Sequence, residues 1–355
     1  MAAASSADAT PQPASVRALA FAASFTVCLL AAGALAITLF GRHSAPPSVS
    51  LDLPPLPQVR PVRAASAAPA LPEDPTPPVT KVLHAGSALL ADPALAENTP
   101  LGPLPRVAED GRKPMTAYAA PAPAGRYRIA IVVSGLGQSA AATRAALDGL
   151  PGGVTLAFAP YAADAGTWAA QARARGHEVL LEIPMEPFDF PDSDPGPQTL
   201  RTGQDQDANI QRLDWALSRF TGYAGVTNFL GQRFLSDADA LAPVLSALNR
   251  RGLYFFDNGS AAQSVTPMVA GQAGMPMAQS GPAIDTVPTG LEIDRRLTEL
   301  ETQARTNGSA VGSAFLYPVS IARIAAWAKG LRSRGFVLVP VSAIVNTPGQ
   351  QSASR

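Results

Sequence analysis

The residues of this chain that could do chemistry stand at the ends of apolar runs. Glu182 and Glu186 lie in LEIPMEP, Asn228 in TNF, Arg233 in GQRF, Asp257 in FFDN, Asp285 in AIDT and Tyr317 in FLYP. Two or three carboxylates brought to one face can carry acid–base chemistry or hold a hard cation. Glu182, Asp257 and Asp285 are therefore the candidate catalytic acids, and a divalent metal is called for only if they form a joint site. Otherwise no cofactor is expected. Imidazole adds little. The chain has three histidines, His43, His84 and His177, and only His177 lies in the segment that reads as folded. It opens a strand on the side away from the strand ends, where a solvated turn residue is expected. Divalent-metal hydrolases usually add imidazole ligands, so a histidine-rich centre is excluded.

A different chemistry is suggested by RIAIVVSGLG (128–137). The pattern Gly135-x-Gly137-x-x-Ala140, after a strand and before a helix, matches the turn that lets a phosphate approach a helix N-terminus. A dinucleotide site also needs an acid at the end of the next strand to hold a ribose, and that strand ends AFAP (157–160). The glycines are thus expected to serve the geometry of a strand-to-helix turn. A nucleotide-binding enzyme using Gly135 and Gly137 is the remote alternative.

These residues need elements to position them. Strand-like runs at 128–134, 153–159, 177–185, 224–229, 253–258, 308–316 and 336–342 alternate with helical patterns at 139–150, 165–176, 208–220, 239–252, 291–306 and 320–335. On the helix over 208–220, Ile210, Leu213, Leu217 and Phe220 share one face. Strands alternating with amphipathic helices predict an α/β fold with a parallel sheet. About seven such units point to a distorted (β/α) barrel, with chemistry at the carboxyl ends of its strands.

The rest of the chain reads differently. Residues 1–16 are a short tail. Residues 17–41 enclose an uncharged run of 23 residues (18–40); as a helix it would span roughly 34 Å, enough to cross a bilayer. It is longer than a signal-peptide core, so an uncleaved transmembrane anchor is expected. Arg17 and Arg42 flank it almost evenly, so charge bias does not set its orientation. Residues 42–125 are rich in Pro and Ala and read as a disordered, semi-rigid spacer. The folded domain is expected over 126–347, with a disordered tail at 348–355. The 27 basic residues balance 27 acidic ones, which leaves no excess to hold a nucleic-acid backbone. Cys28 is the only cysteine, so neither an intramolecular disulfide nor a thiolate zinc cluster is available.

In order, IAIVVSGLG, GVTLAFAPYA, GHEVLLEIPMEP, GVTNFLGQRF, GLYFFDN, GSAVGSAFLYP and GFVLVPVSAIV resemble the divergent polysaccharide deacetylases, a branch of the NodB-type carbohydrate deacetylases. The most specific pieces are GHEVLLEIPMEP (176–187) and PGPQTL (195–200). The resemblance implies a deacetylase-like barrel in the bacterial envelope, anchored in the inner membrane with its domain in the periplasm. It also implies a role in carbohydrate metabolism and a partner that is an envelope glycan or a peptidoglycan-associated protein. It implies, too, that the site has changed. The family's two first-strand acids fall on Ser134 and Gly135, and its histidines on Glu182, Phe229 and Phe315. Asn228, Gly231, Arg233, Asp257, Asp285, Tyr317 and Pro318 remain. Deacetylation needs an activated water and an acid for the leaving amine, and phenylalanine supplies neither. The expectation is a catalytically degenerate barrel that binds a glycan through Asn228, Phe229, Arg233, Phe315 and Tyr317, or acts as a scaffold. The alternative is an active carbohydrate deacetylase rebuilt on Glu182, Asp257 and Asp285.

Overall fold

The computed structural model describes residues 91–346. The expected anchor over 17–41 lies outside them, as do the tails, and no helix among the described residues is long and apolar enough to cross a membrane.

The chain enters through a two-stranded antiparallel hairpin, β1 (Ala96–Thr99) and β2 (Gly102–Pro105), and a one-turn helix, α1 (Pro114–Ala117). Then come β3 (Tyr127–Leu136), α2 (Ala140–Gly149), β4 (Thr155–Phe158), α3 (Ala165–Ala174), β5 (Val179–Met185) and α4 (Gln206–Leu217). They are followed by β6 (Gly225–Leu230), α5 (Ala238–Arg250), β7 (Tyr254–Asp257), α6 (Thr266–Ala273) and β8 (Met277–Gln279). The chain closes with α7 (Gly290–Asn307), β9 (Ser309–Phe315), α8 (Pro318–Lys329) and β10 (Phe336–Leu338).

All eight strands from β3 to β10 run parallel, in the order β10-β3-β4-β5-β6-β7-β8, with β9 on the other edge of β3. Seven of them make a nearly closed barrel. β10 wedges against the first residues of β3 (Phe336 opposite Tyr127), while β4 takes the later ones (Thr155 opposite Val132). The seam lies between β8 and β9, which share no ladder. There the Ile284 amide donates to the Ser313 carbonyl (2.8 Å), and Met277 and Asn346 exchange backbone hydrogen bonds.

Strand alternation sorts the core into two layers. Ala130, Val132, Ala157, Leu180, Tyr254, Phe256 and Ala278 fill the barrel interior. Their neighbours Ile129, Ile131, Val133, Leu156, Leu181, Val226 and Phe255 pack outward under the helices. Both layers are buried, which is why the strands read as continuous apolar runs rather than alternating ones. Helix starts follow capping chemistry: Ser139, Asp237 and Thr289 accept the amides of Ala142, Ala240 and Glu292 at the starts of α2, α5 and α7.

Two expectations need correction. Residues 91–125, read as the end of a disordered spacer, are folded onto the domain. Leu95, Leu104 and Ala108 are buried. Arg251 holds Glu97 and the Pro105 carbonyl, Arg219 holds the Leu101 carbonyl, and the Met115 amide bonds the Gly252 carbonyl. A few apolar anchors and side-chain bonds to backbone fix a segment whose proline content alone reads as linker. His177, expected in solvent, is 2% exposed. Its Nδ1 lies 2.8 Å from the Val154 carbonyl, and burial pushes its pKa down.

Candidate functional site at the carboxyl rim of the barrel

The carboxyl ends of the strands place Ser134 on β3, Glu182 on β5 and Thr227 on β6 inside the mouth of the barrel, in line with Val132 and Leu180. Glu182 and Thr227 are direct partners in the β5–β6 ladder. Glu182 is 1% exposed. Its Oε1 accepts the Gly135 amide at 2.5 Å, while its Oε2, the Ser134 hydroxyl and the Thr227 hydroxyl have no well-aligned partner. Burial pushes the Glu182 pKa up to about 8, against the smaller lowering effects of the Gly135 amide and the Ser134 hydroxyl. Burial thus favours the protonated form of Glu182.

The other candidate acids go elsewhere. Asp257 ends β7 on the outward parity. Its carboxylate accepts the Gly259 amide (3.0 Å), the Ser264 hydroxyl (2.6 Å) and the Gln279 side-chain amide (3.0 Å). Asp285 lies in the loop after β8, where Oδ2 accepts the Phe315 amide (2.8 Å) and the Ser320 hydroxyl (2.5 Å). Burial raises its pKa, and those two bonds oppose the rise. Among the described residues no group of three His, Cys, Asp or Glu is placed to share a metal ion. A single carboxyl group beside two hydroxyls is a poor donor set for a divalent cation, so the residues present do not fit the metal that a rebuilt acid site needs.

The polar rim residues are also partly committed. Asn228 binds Asn258 reciprocally: its Nδ2 donates to Asn258 Oδ1 (2.9 Å) and its Oδ1 accepts the Asn258 amide (3.0 Å), which joins the ends of β6 and β7. Arg233 is half-exposed, with Nη1 3.6 Å from Glu186 Oε1. Both glycines of the turn at the end of β3 have engaged amides. The Gly135 amide serves Glu182, and the Gly137 amide donates to the Thr143 hydroxyl at 2.8 Å. Gly137 has φ +87°, and a Cβ there would stand 2.4 Å from that of Ala162. Turn geometry accounts for both glycines, and their amides are already engaged within the fold.

What the rim does expose is aromatic. Tyr161, Phe188, Phe315 and Tyr317, between 39% and 63% exposed, are the exposed aromatic residues among those described. All four end or follow a barrel strand. The Phe315 and Tyr317 rings lie 5.9 Å apart, tilted by 54°. Tyr161 rests on Trp215 at 5.1 Å, and its hydroxyl accepts the Gln198 amide. Phe188 rides on the excursion over 187–199, which leaves and rejoins β5 where Leu200 pairs with Pro184 and Glu186. Gly196 (φ +122°) lets that excursion pass the Tyr161 ring, 2.7 Å from where a Cβ would sit. Phe229 is only partly exposed. Sequence reading missed Tyr161, Phe188 and Thr227. Tyr161 and Phe188 each stand three residues beyond a strand end, and Thr227 follows from alternation along β6.

A parallel α/β barrel with its distinctive residues at the carboxyl rim defines the class. Residues 131–345 match the family model of the divergent polysaccharide deacetylases, and the chain belongs to that family. It is similar to the uncharacterised protein YibQ of Escherichia coli K12, 25% identical over 200 residues that make up 56% of this chain and 61% of YibQ. The chain thus spans less than two thirds of that relative. An uncharacterised Haemophilus influenzae Rd protein is 24% identical over 206 residues, 58% of this chain and 71% of its own length. The crystal structure of the uncharacterised Agrobacterium tumefaciens C58 protein ATU2773 is 43% identical, with a TM-score of 0.67 over 69% of this chain and 100% of its own.

Proposed function

We propose that this protein binds an envelope glycan at the carboxyl rim of a barrel that no longer deacetylates. The observation that carries the reading is the distribution of exposed aromatic residues. Tyr161, Phe188, Phe315 and Tyr317 are confined to the strand-end face, and aromatic faces suit sugar rings because they cover apolar C–H surface while leaving hydroxyls wet. Beneath them, Glu182, Asp257 and Asp285 do not converge, and Phe229 and Phe315 stand where the resemblance places the family's histidines. In this reading the apolar run at 17–41 holds the protein in the inner membrane, with the barrel in the periplasm.

The full chain is the material for the test. Muramidase-solubilised peptidoglycan fragments should bind by calorimetry, and acetate release from N-acetylated glycans should stay at background with added Zn²⁺, Co²⁺ or Mn²⁺. Metal-dependent turnover abolished by Asp257→Asn would overturn the reading.

One observation favours a scaffold instead. Met268, Val287 and Leu291, the last 85% exposed, also lie on the strand-end side, at or before the starts of α6 and α7. Aliphatic surface of this kind suits a protein partner better than a sugar. Loss of a co-purifying envelope protein on Leu291→Glu, with glycan binding intact, would favour that role.

A further inference from the structure

The carboxylate of Asp285 does not join Glu182 in an acid site, yet it is 1% exposed and engaged through Oδ2 alone, its Oδ1 having no partner. Its surroundings explain what it does. The loop from Ser280 to Thr289 crosses the barrel seam, where β9 has a strand neighbour on the β3 side only. The Ile284 amide bonds the Ser313 carbonyl across this gap, and the next residue, Asp285, accepts the Phe315 amide. At the seam, then, a side-chain carboxylate does for β9 what a neighbouring strand does elsewhere in a sheet. Without it the Phe315 N–H would lack a partner, and unpaired backbone donors in buried places are avoided.

The same oxygen, Oδ2, also accepts the Ser320 hydroxyl in the first turn of α8. The stretch Phe315-Leu316-Tyr317-Pro318-Val319 is therefore clamped at both ends by one atom. Between the clamps the Tyr317 amide bonds the Phe315 carbonyl at 2.8 Å, a tight local turn. The rings of Phe315 and Tyr317 face solvent 5.9 Å apart. Leu316 and Val319 of this turn pack against the core, whereas the two exposed aromatic residues gain less from packing, so the polar ties at the ends of the turn fix how they are presented.

We propose that Asp285 is a positioning residue for the ligand: it clamps the strand-to-helix turn so that Phe315 and Tyr317 form a preset aromatic shelf at the barrel rim. The proposal rests on the glycan-binding reading for the identity of the ligand. The clamp itself is a property of the fold. A preset shelf binds more tightly than a mobile one because the side chains are ordered before the ligand arrives.

The test uses the full chain with wild-type sequence, Asp285→Ala, Asp285→Asn, Ser320→Ala and Phe315→Ala. Binding of muramidase-solubilised peptidoglycan fragments is read by calorimetry. Exchange of the Phe315 and Tyr317 amides is read by hydrogen–deuterium exchange, with Leu181 of β5 as an internal control. Asp285→Ala should speed exchange at Phe315 at least tenfold, leave Leu181 unchanged and weaken binding about as much as Phe315→Ala. Asp285→Asn keeps an acceptor oxygen and should recover part of both effects. Ser320→Ala, the mildest change, should give a smaller loss of affinity in a protein that folds normally. Unchanged exchange at Phe315 in Asp285→Ala overturns the clamp, and faster exchange with undiminished affinity overturns its role in binding. If the wild-type chain fails to bind the fragments, the glycan reading falls separately. The clamp is then judged by ¹⁹F spectra of 4-fluorophenylalanine at position 315, whose signal should shift or broaden in Asp285→Ala and would sink the proposal by staying the same.

Discussion

Two glutamates four residues apart both point into the barrel, and they live in opposite circumstances. Glu178, just before β5 at the amino end, is surrounded by donors. The Tyr254 hydroxyl (2.8 Å), the Ser342 amide (3.0 Å) and the Thr155 hydroxyl (3.5 Å) reach Oε1, and the Ala120 amide (3.3 Å) reaches Oε2. Glu182, at the carboxyl end, has one amide and a free oxygen. Burial raises both pKa values. The floor uses its acid as a fastener, joining the segment before β3, the end of the chain and the barrel wall. The mouth leaves one oxygen of its acid, and the hydroxyl of Thr227, without a partner. Polar groups left unsatisfied in a buried layer mark the part of a fold that stability alone did not shape.

The sharpest way to break this comparison is to remove each acid in turn. Glu178→Ala strands the Tyr254 hydroxyl and the Ser342 and Ala120 amides. At about 1–3 kcal/mol for each donor left unpaired, and with the Ser342 and Ala120 amides only part-buried and able to reach water, the expected loss lies at the low end of the sum, about 3–5 kcal/mol in urea denaturation. Glu182→Gln should act through pH. An acid with a raised pKa binds its proton more tightly in the folded chain than in the unfolded one, so its contribution to stability is full below the unfolded value and is lost as pH rises toward about 8. Glutamine removes that loss. The variant's stability relative to wild type should climb between pH 5 and 8, by at most about 1.4 kcal/mol per pH unit. A difference that stays flat across this range would mean that Glu182 is ionised in the folded protein.

Much of this architecture was legible in the sequence, and the part that was not has physical causes. The long apolar strands and amphipathic helices announced themselves because burial on both faces leaves a dense apolar record. The three-residue β8 (Met-Ala-Gln) and the short α6, with its Pro and Gly, fall below the length at which periodicity speaks. The hairpin at 96–105 was hidden because its order comes from Arg251 and Arg219, far along the chain. The candidate site was legible as a set of strand ends but not as a geometry. Asp257 and Asp285 sit at the right height of the barrel and still point away from Glu182. One residue of parity, or one loop, decides whether a strand-end acid faces the mouth, and sequence order does not carry that information. The glycines of the first turn read as geometry because β4 ends without an acid, and the positive φ of both fits that reading.

Those two glycines give the next test within the rim. Both have positive φ, +89° at Gly135 and +87° at Gly137, but only Gly137 is also crowded. Gly137→Ala should cost about 2–5 kcal/mol, with about 1–3 from overpacking against Ala162 on top of about 1–2 of backbone strain. Gly135→Ala, whose added Cβ would lie 3.8 Å from Leu316, should cost only the strain of about 1–2 kcal/mol. Equal effects in thermal melts would mean that backbone strain alone governs the turn.

The smallest expected change in stability is at the aromatic shelf, and it is the most informative about function. Phe315→Ala and Tyr317→Ala remove side chains that are 39% and 44% exposed and lie over the turn rather than in the core, so stability should move by no more than about 1 kcal/mol. Affinity for solubilised peptidoglycan should fall about tenfold for either, a change of about 1.4 kcal/mol in binding free energy. The floor and the rim then give opposite signatures: Glu178→Ala lowers stability while each folded molecule still binds, and Phe315→Ala lowers binding in a protein that melts normally. If Phe315→Ala instead destabilised the protein as much as Glu178→Ala, the exposed ring would be holding the fold together. The carboxyl rim would then be a second floor, and its aromatic residues would say nothing about a ligand.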